Sequence, residues 1–175
     1  MALPDFNRVQ NGSEITVKSS GGSAAITMTS VANGAARQSA KIDFGASRAR
    51  EYLLIAEIEM AATPTAGNAI EFYMGWSNDS DAGDDNPAGL SGADAAYTGQ
   101  SSNLDASVKQ LSYLGDAVVS ALATSTVQRI TVAKVEAPMR YGSLVVYNKA
   151  GSAFHSSATN IAFRFIPVLD VIEDS

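Results

Sequence analysis

The sequence predicts an all-β protein, and three features of the chain support that prediction. Short segments alternate apolar and polar residues and are rich in β-branched and aromatic side chains. Gly, Asn, Asp and Ser separate these segments and are typical of turns. We find no convincing amphipathic helix. Such strands bury their apolar faces by pairing two sheets, so we expect an antiparallel β-sandwich of eight or nine strands. Short hairpins mixed with long crossing loops favour a jelly roll over an up-and-down barrel.

The predicted strands follow one another with short turns between most of them. They are 14–18, 24–29, 41–44, 51–61, 69–76, 111–119, 127–135, 141–148 and 161–168. Segment 51–61 also contains the helix-favouring residues Leu, Ala, Glu and Met. We favour a strand there because its neighbours are strands. Pro64 and Gly67 then form a turn, across which we expect it to pair with 69–76 as a hairpin.

Three details of these strands can be predicted from single residues. In 127–135 the alternation is regular, so the odd-numbered residues should share one face and the even-numbered residues the other. Gly115 indicates a β-bulge or a close approach of another backbone. Pro167 indicates an edge position or the end of a strand, because proline cannot donate to the ladder. We expect 30–39 to be a connection and 100–107 a polar segment.

A long acidic segment, 77–99, follows the predicted strand 69–76. Five aspartates and no Lys or Arg lie within 78–94, and a loop of this length is usually functional or disordered. It begins like a calcium loop but has no Glu at the expected last position, which is Leu90. We favour a solvated acidic loop; a partner contact and a cation site stay open as alternatives. The candidate cation ligands are Asp79, Asp81, Asp84 and Asp85.

The composition restricts the class of protein. The chain has 175 residues, a formal net charge of −6 and no cysteine, which excludes disulfides and thiolate metal sites. The negative charge argues against nucleic acid and anionic lipid as partners. No apolar run reaches the roughly 18–20 residues of a membrane span, and the first residues lack the features of a secretory signal. We expect an N-terminal arm (1–12), one domain (13–170) and an acidic tail (171–175).

The sequence does not predict an enzyme. Glu57 and Glu59 lie two residues apart on a predicted strand, as a pair of glycosidase carboxylates could, but no glycosidase motif surrounds them. His155 is the single histidine, and its flexible Ser- and Ala-rich loop is a poor setting for a Ser–His nucleophilic pair. We therefore expect no catalytic residue, no cofactor and no metal. The tyrosines and Trp76 are more typical of core and inter-strand packing than of a ligand patch.

Over residues 51–168 the chain resembles small virion proteins of tailed bacteriophages, in particular capsid decoration, or cement, proteins. The segments that carry the resemblance are TPTAG at 63–67, IEFY at 70–73, GWS at 75–77, NPAGLSGADAAY at 86–97, GD at 115–116, APMRYG at 137–142, VVYNKAG at 145–151 and FRFIP at 163–167. The resemblance implies a jelly-roll protein on the outer capsid surface, often trimeric, made in the host cytoplasm and bound to the major capsid protein. These segments mark turns and strands, so the resemblance implies no catalytic residues.

Two other functions remain open from the sequence. Similar small all-β phage proteins are components of tails or fibres. A carbohydrate-binding sandwich is the third candidate, with Trp76 and the aspartates of 79–94 forming a calcium-assisted sugar site.

Overall fold

The computed structural model describes residues 12–168. The chain folds into two largely antiparallel sheets packed against each other, with 42% strand and 8% helix. The predicted all-β sandwich is therefore confirmed. The predicted acidic tail lies outside the described residues, and so does the predicted arm apart from Gly12.

Within residues 12–168 there are eleven strands rather than eight or nine, together with one short helix and three 3₁₀ turns. The strands are β1 (Ile15–Lys18), β2 (Ala24–Ala25), β3 (Ala36–Gln38), β4 (Ile42–Asp43), β5 (Glu51–Ile58), β6 (Ala69–Ser77), β7 (Ala95–Tyr97), β8 (Ser112–Val118), β9 (Gln128–Glu136), β10 (Tyr141–Lys149) and β11 (Ala162–Val168). The helix α1 spans Leu104–Val108, and the 3₁₀ turns are Pro87–Gly89, Gln100–Ser102 and Ala158–Asn160.

The first sheet has the order β2-β1-β11-β5-β9. The second has the order β7-β3-β10-β6-β8, with β4 also paired to β10. The predicted hairpin between 51–61 and 69–76 is wrong, because β5 pairs with β11 and β9 whereas β6 pairs with β10 and β8. The turn between β5 and β6 instead carries the chain from one sheet to the other. Two consecutive apolar strands joined in this way bury their inner faces against each other.

The core lies between the sheets and follows from the alternation of the strands. On β5 every second residue is fully buried, from Tyr52 to Ile58, and these side chains meet the inner residues of β6. The rings of Phe72 and Phe163 contact each other across the sheets, with centroids 5.4 Å apart in an edge-on arrangement. Burying one such side chain contributes about 1.5–3 kcal/mol, so the core is the main source of stability.

Two β-bulges interrupt the alternation at neighbouring sheet edges. In β8, Leu114 has no partner on β6, so the bulge predicted at Gly115 is confirmed. In β9, Val132 has no partner on β5. Even-numbered residues such as Gln128 therefore face inward before this bulge, and odd-numbered residues such as Val135 face inward after it. The regular alternation predicted for 127–135 is wrong for this reason. A Cβ on Gly115 would lie 3.1 Å from the carbonyl oxygen of Val132, so glycine lets the two edges approach.

Pro167 lies one residue before the end of β11, as predicted. Strand β1 pairs with β11 only at residues 163–165. Because Pro167 lies beyond this pairing, its lack of an N–H removes no hydrogen bond to β1.

The strand directions place the loops at two opposite ends of the sandwich. Loops 60–68, 119–127 and 150–160 follow β5, β8 and β10, and loop 29–35 hydrogen-bonds to the last of these. We call this the uncharged end, because the four loops contain no Lys, Arg, Asp or Glu. Segment 78–86 leaves β6 at the opposite end of the sandwich, where Val168 ends β11, and forms the acidic end.

Two buried serines in the second sheet allow a matched test of what a buried hydroxyl without a hydrogen-bond partner costs in stability. The Ser143 hydroxyl is buried and has no hydrogen-bond partner, whereas the Ser39 hydroxyl donates to Ala40 O and accepts from Leu144 N. A buried hydroxyl without a partner costs about 1–3 kcal/mol. We expect Ser143→Ala to keep or raise the free energy of unfolding, and Ser39→Ala to lower it by about 1 kcal/mol. Urea denaturation of both variants measures this; a destabilised Ser143→Ala protein would contradict it.

Candidate functional site

Residues 78–111 cover the outer face of the second sheet. Apolar side chains of this segment form a second core with residues of β3, β6 and β10 that point away from the main core. The covering side chains are Ala88, Leu90, Tyr97, Val108 and Leu111, and the sheet supplies Ala36, Tyr73, Val145 and Tyr147. The predicted solvated loop is therefore correct for the exposed residues 79–85 and wrong for most of 87–99.

The covering segment also contains a strand and a helix that the sequence analysis missed. Strand β7 pairs with β3, a strand that lies in the predicted connection 30–39. Helix α1 lies in the predicted polar segment 100–107, with Asn103 as its N-cap. Leu104, Val108 and Leu111 repeat with helical spacing, and this signal could have identified the helix. The helix is too short to stand alone, so the pattern is weak.

Specific contacts hold the covering segment close to the sheet. A Cβ on Gly75 would overlap Leu90, so this glycine of β6 allows the cover to lie against the strand. The Tyr97 hydroxyl donates to Ala88 O at 2.7 Å. The Tyr147 hydroxyl of β10 donates to the Asp105 carboxylate of α1 at 3.0 Å. The cover is therefore a fixed layer rather than a free loop.

Lys41 organises the acidic end. Its Nζ lies 2.9, 2.6 and 2.8 Å from the backbone carbonyl oxygens of Asp79, Asp81 and Asp84, and 3.1 Å from Ser77 Oγ. An ammonium group has three N–H donors, so the four oxygens share them. Three carbonyls and a hydroxyl around one positive charge resemble the oxygen shell that a hard cation takes. In this protein the ammonium group of Lys41 occupies the centre of that shell.

The four candidate cation ligands do not bring their carboxylates together. Asp79 Oδ1 accepts from the backbone N of Asp81, and Asp85 Oδ2 accepts from the backbone N of Asn78. Between residues 12 and 168, no group of three or more His, Asp or Glu side chains is placed to hold a metal ion. It is the carbonyl oxygens of this segment that converge, and they converge on Lys41.

Asp94 anchors the other side of the acidic segment. Its carboxylate accepts from the backbone N and hydroxyl of Thr27, at 2.9 and 2.5 Å, and pairs with the Arg37 guanidinium at 2.7 Å. Burial raises the pKa of the Asp94 carboxyl, but the bonds from Thr27 and Arg37 outweigh burial, so the pKa lies below its ordinary value. The fifth aspartate of the segment is thus a structural residue that fastens the cover to β3.

Glu57 and Glu59 have different surroundings. Glu57 lies on the outer face of the first sheet, where its carboxylate accepts from Arg129 at 2.6 Å and Arg164 at 3.3 Å. Glu59 is buried, and its carboxylate accepts from Asn160 Nδ2 at 3.2 Å. One carboxylate is held by two guanidinium groups and the other is covered by a loop. The pair does not form an acid and a base facing a common cleft.

His155 is part of the loop that covers Glu59. Its Nδ1 accepts from the backbone N of Ser157 at 3.0 Å and lies 3.8 Å from Glu59 Oε2. The Ser157 hydroxyl is paired with Thr159 Oγ1 instead of with the imidazole. The contacts of His155 therefore stabilise the backbone of its own loop.

The aromatic residues are mostly packed, as the sequence analysis favoured. Tyr73, Tyr97 and Tyr147 are buried under the cover, and Trp76 is half-buried beside Phe44 with ring centroids 5.4 Å apart. Trp76 also borders an open cleft of about 420 Å³ at the acidic end. The rest of the lining comes from Gly83, Asp84, Asp85, Asn86 and Pro87. This cleft is where the structure brings Trp76 and part of the acidic segment together.

No protein-family model, curated protein or solved structure matches this chain. In the part of the chain that the structure describes, no helix is long and apolar enough to cross a membrane.

We expect Lys41→Met to loosen the acidic end. The variant removes the charge that holds three carbonyls and a hydroxyl, and hydrogen bonds to a charged group contribute about 1.5–3 kcal/mol. Amide hydrogen exchange in 78–86 should accelerate about tenfold or more while exchange in β6 stays slow. Lys109→Met, which removes an exposed lysine beside α1, is the matched control. Equal exchange in the two variants would show that Lys41 does not hold the segment.

Asp94→Asn should destabilise the protein in a pH-dependent way. Because the folded-state pKa lies below that of the unfolded chain, the charged carboxylate stabilises the fold above the unfolded pKa and loses this effect as the pH falls through the folded pKa. We expect a loss of about 1–3 kcal/mol at pH 7 that shrinks toward acid pH. Urea denaturation at several pH values measures it, with Asp84→Asn as the exposed control. A pH-independent difference would refute the role of the carboxylate charge.

Proposed function

We propose that this protein is a virion structural protein of a tailed bacteriophage, a capsid decoration protein that binds and stabilises the major capsid shell. The observation that carries the proposal is the strand order. Strands β1-β11-β5-β9 face β3-β10-β6-β8, and the connections after β4, β5, β8, β9 and β10 each cross between the sheets. We interpret this order as a jelly roll, an architecture common in viral capsid proteins. It agrees with the resemblance of residues 51–168 to phage decoration proteins.

The contacts of the charged residues favour a structural role over a catalytic one. Glu57, Asp94 and Lys41 each hold two or more groups of the fold, and none faces an acid or base across a cleft. A decoration protein needs a rigid body that clamps neighbouring shell subunits and performs no chemistry. We therefore propose a binding protein without enzymatic activity.

The acidic end is the surface that we propose for the shell contact. The side chains of Asp79, Asp81, Asp84 and Asp85 are exposed there, and Lys41 fixes the backbone beneath them. A preorganised acidic surface suits a basic patch on the major capsid protein, and charge complementarity speeds association. Gly12, the last residue of the predicted arm, donates its backbone N–H to Ser47 O at this end of the sandwich.

Shell binding tests the proposal directly. Purified protein is mixed with empty shells of the major capsid protein encoded near this gene, and the occupancy of sedimented shells is measured. We expect saturable binding that weakens as salt rises, because salt screens a charged contact. Replacing Asp79, Asp81, Asp84 and Asp85 with Asn should reduce occupancy, whereas Asp116→Asn, on exposed β8, should not. Absence of binding to any shell refutes the proposal, and binding to tails favours the tail alternative.

The arm supplies a separate prediction. Deleting residues 2–11 should lower shell occupancy without changing the melting temperature of the sandwich, because the core residues that the structure describes lie within 15–165. Unchanged occupancy would show that the arm does not reach the shell.

The cleft beside Trp76 supports carbohydrate binding as a second candidate function. An aromatic ring bordered by Asp84, Asp85 and Asn86 combines a stacking surface with groups that hydrogen-bond sugar hydroxyls. A glycan array with and without a calcium chelator tests it, with Trp76→Ala as the site variant and Tyr113→Ala as an exposed aromatic control. Binding that survives Trp76→Ala, or no binding at all, excludes this cleft.

A further inference from the structure

We propose that the outer face of β8 binds an arginine side chain of a partner protein, with the guanidinium stacked on the Tyr113 ring and paired with the Asp116 carboxylate. This contact lies on the flank of the sandwich. It is separate from the proposed shell contact and does not rest on it.

The bulge at Leu114 brings Tyr113 and Asp116 onto one face of the sheet. In a regular strand, residues three positions apart point to opposite faces. Because Leu114 has no partner on β6, Tyr113 lies opposite Tyr73 and Asp116 lies opposite Glu71. Both partners are on the outer face of β6. A bulge is a common way to redirect a side chain beside a binding site.

The Tyr113 ring is held in one orientation and stays accessible. It packs against the Tyr73 ring with centroids 5.4 Å apart, and the side chain remains 55% exposed. Val118, on the same face of β8, is 56% exposed. Segment 78–111 covers β3, β6 and β10, and the second core that it forms includes no described residue of β8. An oriented, uncovered tyrosine is typical of an interaction surface.

The charges around this ring favour a cation. The Asp116 and Glu71 carboxylates lie directly opposite each other, an arrangement that destabilises a sheet. Glu71 accepts from Lys149 at 2.7 Å and from the Tyr73 hydroxyl at 2.8 Å. In the part of the chain that the structure describes, no Lys or Arg forms an ion pair with Asp116. Partial burial, a hydrogen bond to Asp116, and the charges of Asp116 and Glu71 raise the pKa of Tyr113 to about 12.

Two other tyrosines of this protein lie beside a carboxylate, and each is covered by a cation. The Arg140 guanidinium lies 4.9 Å from the centroid of the Tyr141 ring and pairs with Asp43 at 2.9 Å. The Lys149 ammonium, which is also paired with a carboxylate, lies 4.4 Å from the centroid of the Tyr147 ring. The outer face of β8 has the ring and the carboxylate, and the described chain supplies no cation there. The complementary charge therefore comes from another molecule.

The geometry suits arginine better than lysine. A planar guanidinium can stack on an aromatic ring while two of its N–H groups bond to one carboxylate, whereas an ammonium group is a point charge without a flat face. An apolar side chain two positions from the arginine, in an extended partner segment, would lie over Val118 because alternate residues of a strand share a face. The preferred ligand is thus an extended segment with the pattern arginine, any residue, apolar residue.

The position of this face allows both proposed contacts to form at once. Glu71, opposite Asp116, lies six residues before Ser77, where β6 ends at the acidic end. At about 3.3 Å per residue, the two contacts are separated by about 20 Å along the strand. A partner on β8 therefore leaves the acidic end free for the shell.

An NMR titration of the full-length ¹⁵N-labelled protein tests the inference. The probe is the peptide acetyl-Gly-Arg-Gly-Val-Gly-amide, for which we expect a dissociation constant on the order of 1 mM and shifts at the amides of Tyr113 and Asp116. The same peptide with citrulline in place of arginine keeps the shape without the charge and should bind about tenfold more weakly. A lysine peptide should bind about threefold more weakly. The Tyr141 amide should not shift, because Arg140 already covers that ring.

Matched variants assign the binding to the two side chains. Asp116→Asn and Tyr113→Leu should each weaken binding about threefold or more. Tyr113→Phe keeps the ring and should bind at least as well as the wild type. Glu136→Gln removes the same charge from an exposed position on β9 and should leave the affinity unchanged. Equal losses in Asp116→Asn and Glu136→Gln would show that net charge alone attracts the peptide, and would overturn the inference.

Other outcomes also overturn it. These are a peptide that shifts neither Tyr113 nor Asp116, equal binding of the citrulline or lysine peptide, or unchanged affinity of Asp116→Asn, which decides alone if Tyr113→Leu fails to fold. Concentration-dependent shifts of the same amides without peptide would assign the arginine to a second copy. Shell occupancy separates the two proposals: peptide binding without shell binding overturns only the decoration function, and a lower shell occupancy of Asp116→Asn overturns the separate partner.

Discussion

The rest of the structure depends on the burial of β10 on both faces. Seven consecutive residues, 142–148, are buried in this nine-residue strand. Leu144 and Val146 contact the core between the sheets, and Val145 and Tyr147 point to the opposite side. A strand of this kind is stable only when both of its faces are covered. The first sheet covers one face, and the chain must supply a cover for the other.

Segment 78–111 is that cover, and its position explains the acidic end. The segment leaves β6 at the end of the second sheet, turns around Lys41, and returns over β6 and β10. The aspartates 79–85 lie at the turn, where their side chains stay in water while the carbonyls of Asp79, Asp81 and Asp84 bind the ammonium group. Asp94 is farther along, where the cover contacts β3, and is partly buried and paired with Arg37. Residues that look alike in the sequence thus have different roles.

The two outer faces of the sandwich are stabilised in different ways. The outer face of the first sheet carries a row of ion pairs, from Glu14 through Arg164 and Glu57 to Arg129, and it needs no cover. Exposed pairs of this kind contribute about 0–1 kcal/mol each, so they keep the face soluble more than they stabilise it. With both faces satisfied, the ends of the sandwich are the surfaces that differ most in charge, and the proposed shell contact lies at the acidic end.

The sequence by itself determined the fold class and most of the strands, because alternation of apolar residues is a local signal that directly reflects burial on one face. It also located the bulge at Gly115 and the strand end at Pro167, since glycine and proline act through their own backbones. The tertiary structure decided the pairing of β5 and β6, the shift of faces at Val132, and the cover over β10. These depend on contacts between residues far apart in the chain: β3 and β7 are strands because each pairs with distant residues, and Lys41 lies 38 or more positions before the carbonyls that it holds. The uncharged end has the same origin, because four unremarkable loops become one surface only when the strands between them pair.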